Sequence, residues 1–153
     1  MNSPKPENYH VAMKAFVRKD KKVLICKENI SEKWDLPGGR IGEGELDVPL
    51  EDILKREIQE ELGGEFEYKN NGPAAIFRHQ RPELSVTRKP SVNILMIGFE
   101  LEYVSGEIIL SEEHNEFRWV TLEEAYELLP GGQKEGMDKY IKYLKNGRKQ
   151  LIY

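Results

Sequence analysis

A helix that carries its acids on its packed side constrains this 153-residue chain more than any other feature. Residues 50–62 read LEDILKREIQEEL. At about 100° per residue, Leu50, Ile53, Leu54, Ile58 and Leu62 fill one continuous arc. Glu57 and Glu61 fall inside that arc, and Glu60 lies at its edge. Glu57 stands i,i+3 to Glu60 and i,i+4 to Glu61, so the three carboxylates share one side and repel one another. An ordinary amphipathic helix puts its acids on the opposite side. Carboxylates turned toward packing need compensation, because an unpaired buried charge is expensive. Arg56 neutralises part of the cluster. A divalent cation would neutralise more, and hard oxygen donors suit Mg²⁺ or Mn²⁺. Upstream, Pro37-Gly38-Gly39 forms a turn almost free of side chains, which lets a phosphate chain approach.

Gly39, Glu45, Arg56, Glu57, Ile58, Glu60, Glu61 and Gly63 together resemble the signature of the Nudix hydrolases. That signature is G, five residues, E, seven residues, then R-E-U-x-E-E-x-G-U, with U a bulky aliphatic. Two departures stand out. Ten residues separate Glu45 from Arg56, and the last aliphatic position is Gly64. The three extra residues fall around Asp47-Val48-Pro49, where they lengthen the loop or add nearly one helical turn. Gly64 is also a normal helix stop. The resemblance implies an α/β (mixed α+β) architecture, the Nudix fold, with a mixed β-sheet sandwiched between α-helices. It implies hydrolysis of a nucleoside diphosphate linked to a further moiety X, by water attack on phosphorus. It implies Glu57, Glu60 and Glu61 as metal ligands with the Gly38 carbonyl as a further oxygen, and Mg²⁺ or Mn²⁺ as cofactor. Arg56 would orient the carboxylates and Glu45 would brace the loop.

The rest of the composition bounds the setting. At this length one domain with a real core is expected, residues 9–153, after a flexible lead-in over residues 1–8. The net charge of −4, with no basic run, gives no support for nucleic-acid binding. No apolar run reaches membrane-spanning length, and MNSPKPENYH has no apolar core of a secretory signal. One cysteine, Cys26, excludes an internal disulfide framework. The expected location is the cytoplasm, and a homodimer stays open.

Along the chain, Tyr9 to Arg18 and Lys22 to Lys27 read as strands around an Asp20-Lys21-Lys22 turn. Cys26 reads as a small core residue. The acidic helix begins near Val48 to Leu50, with Asp47 as cap and Pro49 in the first turn. Residues 65–69 and 74–79 read as strand pieces around an Asn70-Asn71-Gly72-Pro73 turn. His79 to Pro90 reads as a long loop. Strands are expected at 91–103, 107–110 and 116–120. Thr121 caps a helix over 122–129, Gly131-Gly132 breaks it, and 134–144 forms a last amphipathic helix.

The catalytic set expected here is Glu57, Arg56 and Glu113. Glu113 comes from SEEHNEF, which also offers Glu112 and Glu116 as general bases. His114 is expected at the surface and Trp119 in the core. Trp34 suits either base stacking or packing. Gly38, Gly39, Lys27, Arg78 and Arg81 are the candidates for gripping substrate, with Phe77, His79 and Arg88 beside them. The default substrate is a nucleoside triphosphate or a nucleoside diphosphate derivative such as ADP-ribose or a sugar nucleotide. Two other readings compete. One is a nucleotide-binding sensor domain of the same fold without turnover. The other is an isomerase of the isopentenyl diphosphate type, which needs a reactive cysteine in the site.

Overall fold

The computed structural model describes residues 3–81 and 91–153. Strand β1 (His10–Lys19) turns into β2 (Lys22–Glu28) through Asp20-Lys21. Asp20 takes φ +56°, the left-handed conformation that a tight hairpin turn requires and that Asp tolerates. The ladder between the two strands pairs Arg18 with Val23 and Lys19 with Lys22. Further along, β1 pairs with β4 (Gly38–Arg40) and, in parallel, with β6 (Val92–Ser105). β2 pairs with β3 (Trp34–Asp35) and β7 (His114–Thr121). β5 (Glu67–Arg81) runs antiparallel to β6. The order is β3-β2-β1-β6-β5, with β4 on β1 and β7 on β2. Parallel and antiparallel pairs coexist, so the sheet is mixed, as expected.

Helices cover the sheet on both sides. Successive strand residues point to opposite faces, and β1 is buried on both. Its Met13, Ala15 and Val17 pack with Ile53, Leu54, Ile58 and Leu62 of α1 (Leu50–Leu62). Its Ala12 and Phe16 pack with Ala125 of α2 (Leu122–Leu128) and with Met137 and Tyr140 of α3 (Gly131–Lys145). The Phe16 ring stacks on Tyr140 at 4.3 Å between centroids. Cys26 lies fully buried in the α1-side core, the place expected of a small core residue. Trp119 packs at the margin of the same core. No helix is long and apolar enough to cross a membrane among the described residues.

Several local expectations need correction. Leu50 is exposed, because it opens the first turn of α1 rather than lining its packed arc. Pro49 precedes α1, and no side chain caps it, Asp47 included. Residues 47–49 lie in the loop, so the residues around Asp47-Val48-Pro49 lengthen it rather than the helix. The helix stops at Gly63, with φ +94°, one residue before Gly64. Asn70 to Pro73 does not divide two strands. β5 runs through it with register shifts, and the Asn70 side chain accepts a bond from Gly72 N at 2.8 Å. A bulge absorbs the Gly-Pro pair there.

Residues 107–110 form no strand. Ile109 and Ser111 spend their N–H groups on the carbonyls of Leu62 and Glu61, which would otherwise be left open at the end of α1. Gly131-Gly132 starts α3 instead of merely breaking α2. A Cβ at Gly132 would overlap the Arg78 carbonyl, so the helix start needs glycine to lie against β5. Thr121 does cap α2, its hydroxyl accepting from Glu124 N at 3.1 Å.

Candidate active site

Pairing of β4 with β1 fixes the glycine turn. Gly39 sits opposite Met13 and Gly38 opposite Lys14. Gly38 has φ +128°, and a Cβ there would overlap the Met13 carbonyl, so only glycine fits. At Gly39 a Cβ would overlap the Glu57 carboxylate. The two missing side chains therefore let α1 bring its acids against backbone. Gly38 N donates to Glu61 Oε2 at 2.8 Å. Glu61 is buried at 5% exposure, Glu57 is half-buried and Glu60 is exposed. Burial raises the Glu57 carboxyl above its ordinary range. Burial pushes Glu61 up to about 7, against the pull of Lys14 and the Gly38 N–H.

Arg56 is tied to three carboxylates at once. Its Nε and Nη2 donate to the two oxygens of Glu45 at 3.1 and 2.7 Å. Its Nη1 donates to Glu57 Oε1 at 2.9 Å and to both Glu60 oxygens at 3.3 Å. Glu45 Oε1 also accepts from Gly42 N at 2.6 Å. The loop before α1 is thus bonded to the helix through a single guanidinium fork.

Behind the turn lies a polar network that sequence reasoning missed. Lys14 Nζ donates to Asp35 at 3.0 and 3.1 Å, to Leu36 O at 2.9 Å and to Gly38 O at 3.5 Å. Both side chains are buried. Gln133 of α3 accepts from Leu36 N at 2.8 Å. Burial opposes the Asp35 charge, but the Lys14 ammonium, with the polar groups of His114 and Gln133 nearby, outweighs it and holds the carboxyl at about 2. Burial likewise opposes the Lys14 charge, and Asp35 and Glu61 outweigh it to keep the ammonium firmly protonated. The one available signal was a lysine inside the apolar run VAMKAFV.

His114 corrects an expectation. It is not at the surface but 6% exposed, with Nε2 4.0 Å from Asp35 Oδ2. It opens β7, where the register against β2 shifts at Glu28. The segment before it is fastened at both ends. Ser111 N reaches Glu61 O, while Asn29 N and its side-chain amide reach the carbonyls of Glu113 and Glu112. Glu113 is exposed, and one of its carboxylate oxygens lies within 4.8 Å of ligand atoms of both Glu61 and His114. Glu116 instead faces Arg118 at 2.9 Å and Lys27 at 3.9 Å.

The expected substrate residues are scattered. Phe77 is buried in the α3-side core beside Phe16, so it cannot grip a ligand. His79 is half-buried, and its Nδ1 accepts from Gly132 N at 3.1 Å. Arg78 is exposed on β5. Arg81 ends β5 and faces Glu28 of β2 at 3.7 Å. Lys27 lies 5.9 Å from the Trp34 ring, and the Arg118 guanidinium lies over the same ring at 4.8 Å. Trp34 packs against the α3-side core but is partly exposed. Arg88 lies outside the described residues.

Comparison with known proteins agrees with this architecture. The family model of the NUDIX domain matches residues 8–144. A nucleoside triphosphatase NudI from Escherichia fergusonii is 28% identical over 111 residues, covering 69% of this chain and 77% of that protein. A MutT protein from Methanosarcina mazei superposes with a TM-score of 0.72 at 24% identity, covering 95% of this chain and all of the other. An ADP-ribose pyrophosphatase from Streptococcus suis superposes with a TM-score of 0.63 at 19% identity, covering 95% of this chain and 97% of the other. A signature helix seated on a glycine turn, a mixed sheet between helices and a family match over most of the chain agree: the protein belongs to the Nudix hydrolase family.

Proposed function

We propose that this chain is a divalent-metal-dependent pyrophosphohydrolase acting on a nucleoside triphosphate or on a nucleoside diphosphate joined to another moiety. The observation that carries the reading is the contact of Glu57 and Glu61 with a turn that has no side chains. With the one guanidinium of Arg56 shared among Glu45, Glu57 and Glu60, and Glu61 buried beside them, the cluster carries more negative charge than Arg56 neutralises. Such a donor set fits a hard cation. Glu57, Glu60, Glu61 and the Gly38 carbonyl would hold Mg²⁺ or Mn²⁺. When bound, the ion supplies charge for the phosphate oxygens and acidity for a coordinated water.

The chain's own residues do the rest. Gly38 and Gly39 present backbone rather than side chains beside the helix, and a diphosphate would approach over that backbone. Arg56 fixes the angle of Glu57 through a charge-assisted bond. Glu113 would take a proton from the attacking water, a role supported by its exposed carboxylate next to Glu61. Trp34 would suit a base and Lys27 and Arg81 outer phosphates, being an aromatic ring on β3 and cations on β2 and β5. The curated relative named as a nucleoside triphosphatase favours a triphosphate over a sugar nucleotide. The isomerase reading is disfavoured, because Cys26 is fully buried and its thiol is pushed up by that burial.

The test is a panel of nucleoside triphosphates, ADP-ribose and sugar nucleotides, assayed for phosphate-bearing products with Mg²⁺, with Mn²⁺ and after chelation. Turnover of at least one, abolished by EDTA and restored by metal, is expected. Turnover that persists after complete metal removal, or none with any substrate, would overturn the reading.

A further inference from the structure

The buried imidazole of His114 has no role in the signature, yet it lies beside the signature's most buried acid. A ring nitrogen of His114, a carboxylate oxygen of Glu61 and one of Glu113 all lie within 4.8 Å of one another. Nε2 faces Asp35, whereas Nδ1 is shut off from solvent and has no hydrogen-bond partner among the described residues. Leaving a buried polar atom unpaired costs roughly 1–3 kcal/mol, so an orphan nitrogen at this position calls for a partner. A carboxylate facing one imidazole nitrogen while the other stays free is the arrangement by which proteins orient a metal-binding histidine.

We propose that His114, Glu61 and Glu113 together hold a divalent cation through one nitrogen and two oxygens. The position extends the metal centre of the proposed hydrolase and rests on that reading only for its catalytic use, not for its existence. The donor set has a chemical consequence. Imidazole suits transition ions such as Zn²⁺ best, Mn²⁺ accepts it beside carboxylates, and Mg²⁺ keeps to oxygen and water. The site therefore selects a transition metal, while the all-oxygen set of Glu57, Glu60 and the Gly38 carbonyl accepts Mg²⁺. Glu61 stands between the two sets, its Oε2 taking the Gly38 N–H and its other oxygen left for a metal. One Glu113 oxygen suffices for the cation, so the second remains for proton transfer.

The scaffold is rigid enough to hold the group. Ser111 is bonded to the Glu61 carbonyl, Asn29 holds the Glu112 and Glu113 carbonyls, and Asn115 donates to the Asn29 side chain at 3.4 Å. The three ligands thus come from α1 and from the entry to β7, cross-linked by backbone.

The test is Mn²⁺ titration of the full-length, nucleotide-free protein followed by pulsed electron paramagnetic resonance. Protein labelled with [¹⁵N]histidine identifies the nitrogen. Bound Mn²⁺ should show a histidine nitrogen coupling in the wild type. The coupling should vanish in His114→Gln and persist in His79→Gln and in Glu57→Gln. Mn²⁺ affinity should fall about 10–100-fold in His114→Gln, while Mg²⁺ affinity changes less than about threefold. Thermal melts establish that His114→Gln is folded, and His114→Asn serves if it is not. Bound Mn²⁺ without histidine coupling in the wild type would overturn the proposal while leaving the pyrophosphohydrolase reading standing. Absence of any Mn²⁺ binding would overturn it as well. Histidine coupling in a protein that hydrolyses no nucleotide would support the site and remove the proposed activity.

Discussion

Lys14 and Asp35 form an ion pair at 3.0 Å with both side chains buried, and the same ammonium bonds the Leu36 carbonyl. The pair joins β1 to β3 across the place where β1 and β2 separate. It therefore sets the position of the glycine turn as well as contributing to stability. Breaking a buried pair from one side leaves an uncompensated charge and costs about 3–5 kcal/mol. Lys14→Met should lower the urea midpoint accordingly. Adding Asp35→Leu should recover most of the loss, because it removes the stranded charge. A Lys14→Met midpoint equal to the wild type would show that the pair contributes nothing.

Gly38 and Gly39 separate stability from activity. Gly38→Ala forces a Cβ into the Met13 carbonyl at a positive φ, and the backbone conformation alone costs about 1–3 kcal/mol. Gly39→Ala meets only the end of the Glu57 side chain, which can swing away. The melting temperature of Gly39→Ala should stay near wild type while its turnover falls by about tenfold or more, if Glu57 holds the metal as proposed. Equal turnover in Gly39→Ala and wild type would mean that Glu57 need not touch the turn.

On the side of the sheet covered by α3, Glu100 gives a pH prediction independent of the active site. It is 1% exposed and accepts from Arg148 Nε at 2.6 Å, from Asn71 Nδ2 at 3.2 Å and from the Tyr140 hydroxyl. Burial alone would raise its carboxyl, but the bonds from Arg148, Tyr140 and Asn71 outweigh it and hold it below the ordinary range. A depressed folded value means the unfolded chain takes up the proton first. The stabilisation is whole above the ordinary carboxylate range and is lost as pH falls from about 5 through the folded value. Unfolding free energies measured across that window should fall more steeply for wild type than for Glu100→Gln. Parallel curves would remove Glu100 from the acid response.

What the sequence showed and what it hid follow one physical rule. The acid-bearing helix was legible because its periodicity and spacing are local: Ile53, Leu54, Ile58 and Leu62 are buried and Glu61 points inward among them. Strands β1, β2 and β6 were legible as apolar runs. The Lys14–Asp35–His114 network was not, because it depends on β1 and β2 parting after their hairpin and on β7 adding to β2. His114 looked exposed among polar neighbours, yet the register shift at Glu28 turns it inward. Phe77 looked accessible beside Arg78 and His79, but strand alternation buries it under Gly136 of α3. The 107–110 strand failed because its backbone donors go to the end of α1.

Glu113 is proposed as both base and ligand, and its variants separate the two roles. The carboxylate is exposed, next to the buried Glu61, on a segment pinned to Asn29. Glu113→Gln keeps one oxygen for a cation but loses the basic site. Turnover should fall by roughly 10²–10⁴, while Mn²⁺ affinity falls less than in Glu61→Gln, where the more buried of the two proposed ligands is lost. The acidic limb of the pH–rate profile should disappear in Glu113→Gln. In Glu57→Gln that limb should keep its shape at a lower height if Glu57 binds metal, as proposed, rather than the proton. Glu113→Gln turning over at the wild-type rate would move the base to Glu57 or Glu112, since Glu116 is already engaged by Arg118 and Lys27. Loss of Mn²⁺ binding in Glu113→Gln as complete as in Glu61→Gln would instead make Glu113 a ligand first, with proton transfer left to a neighbouring carboxylate.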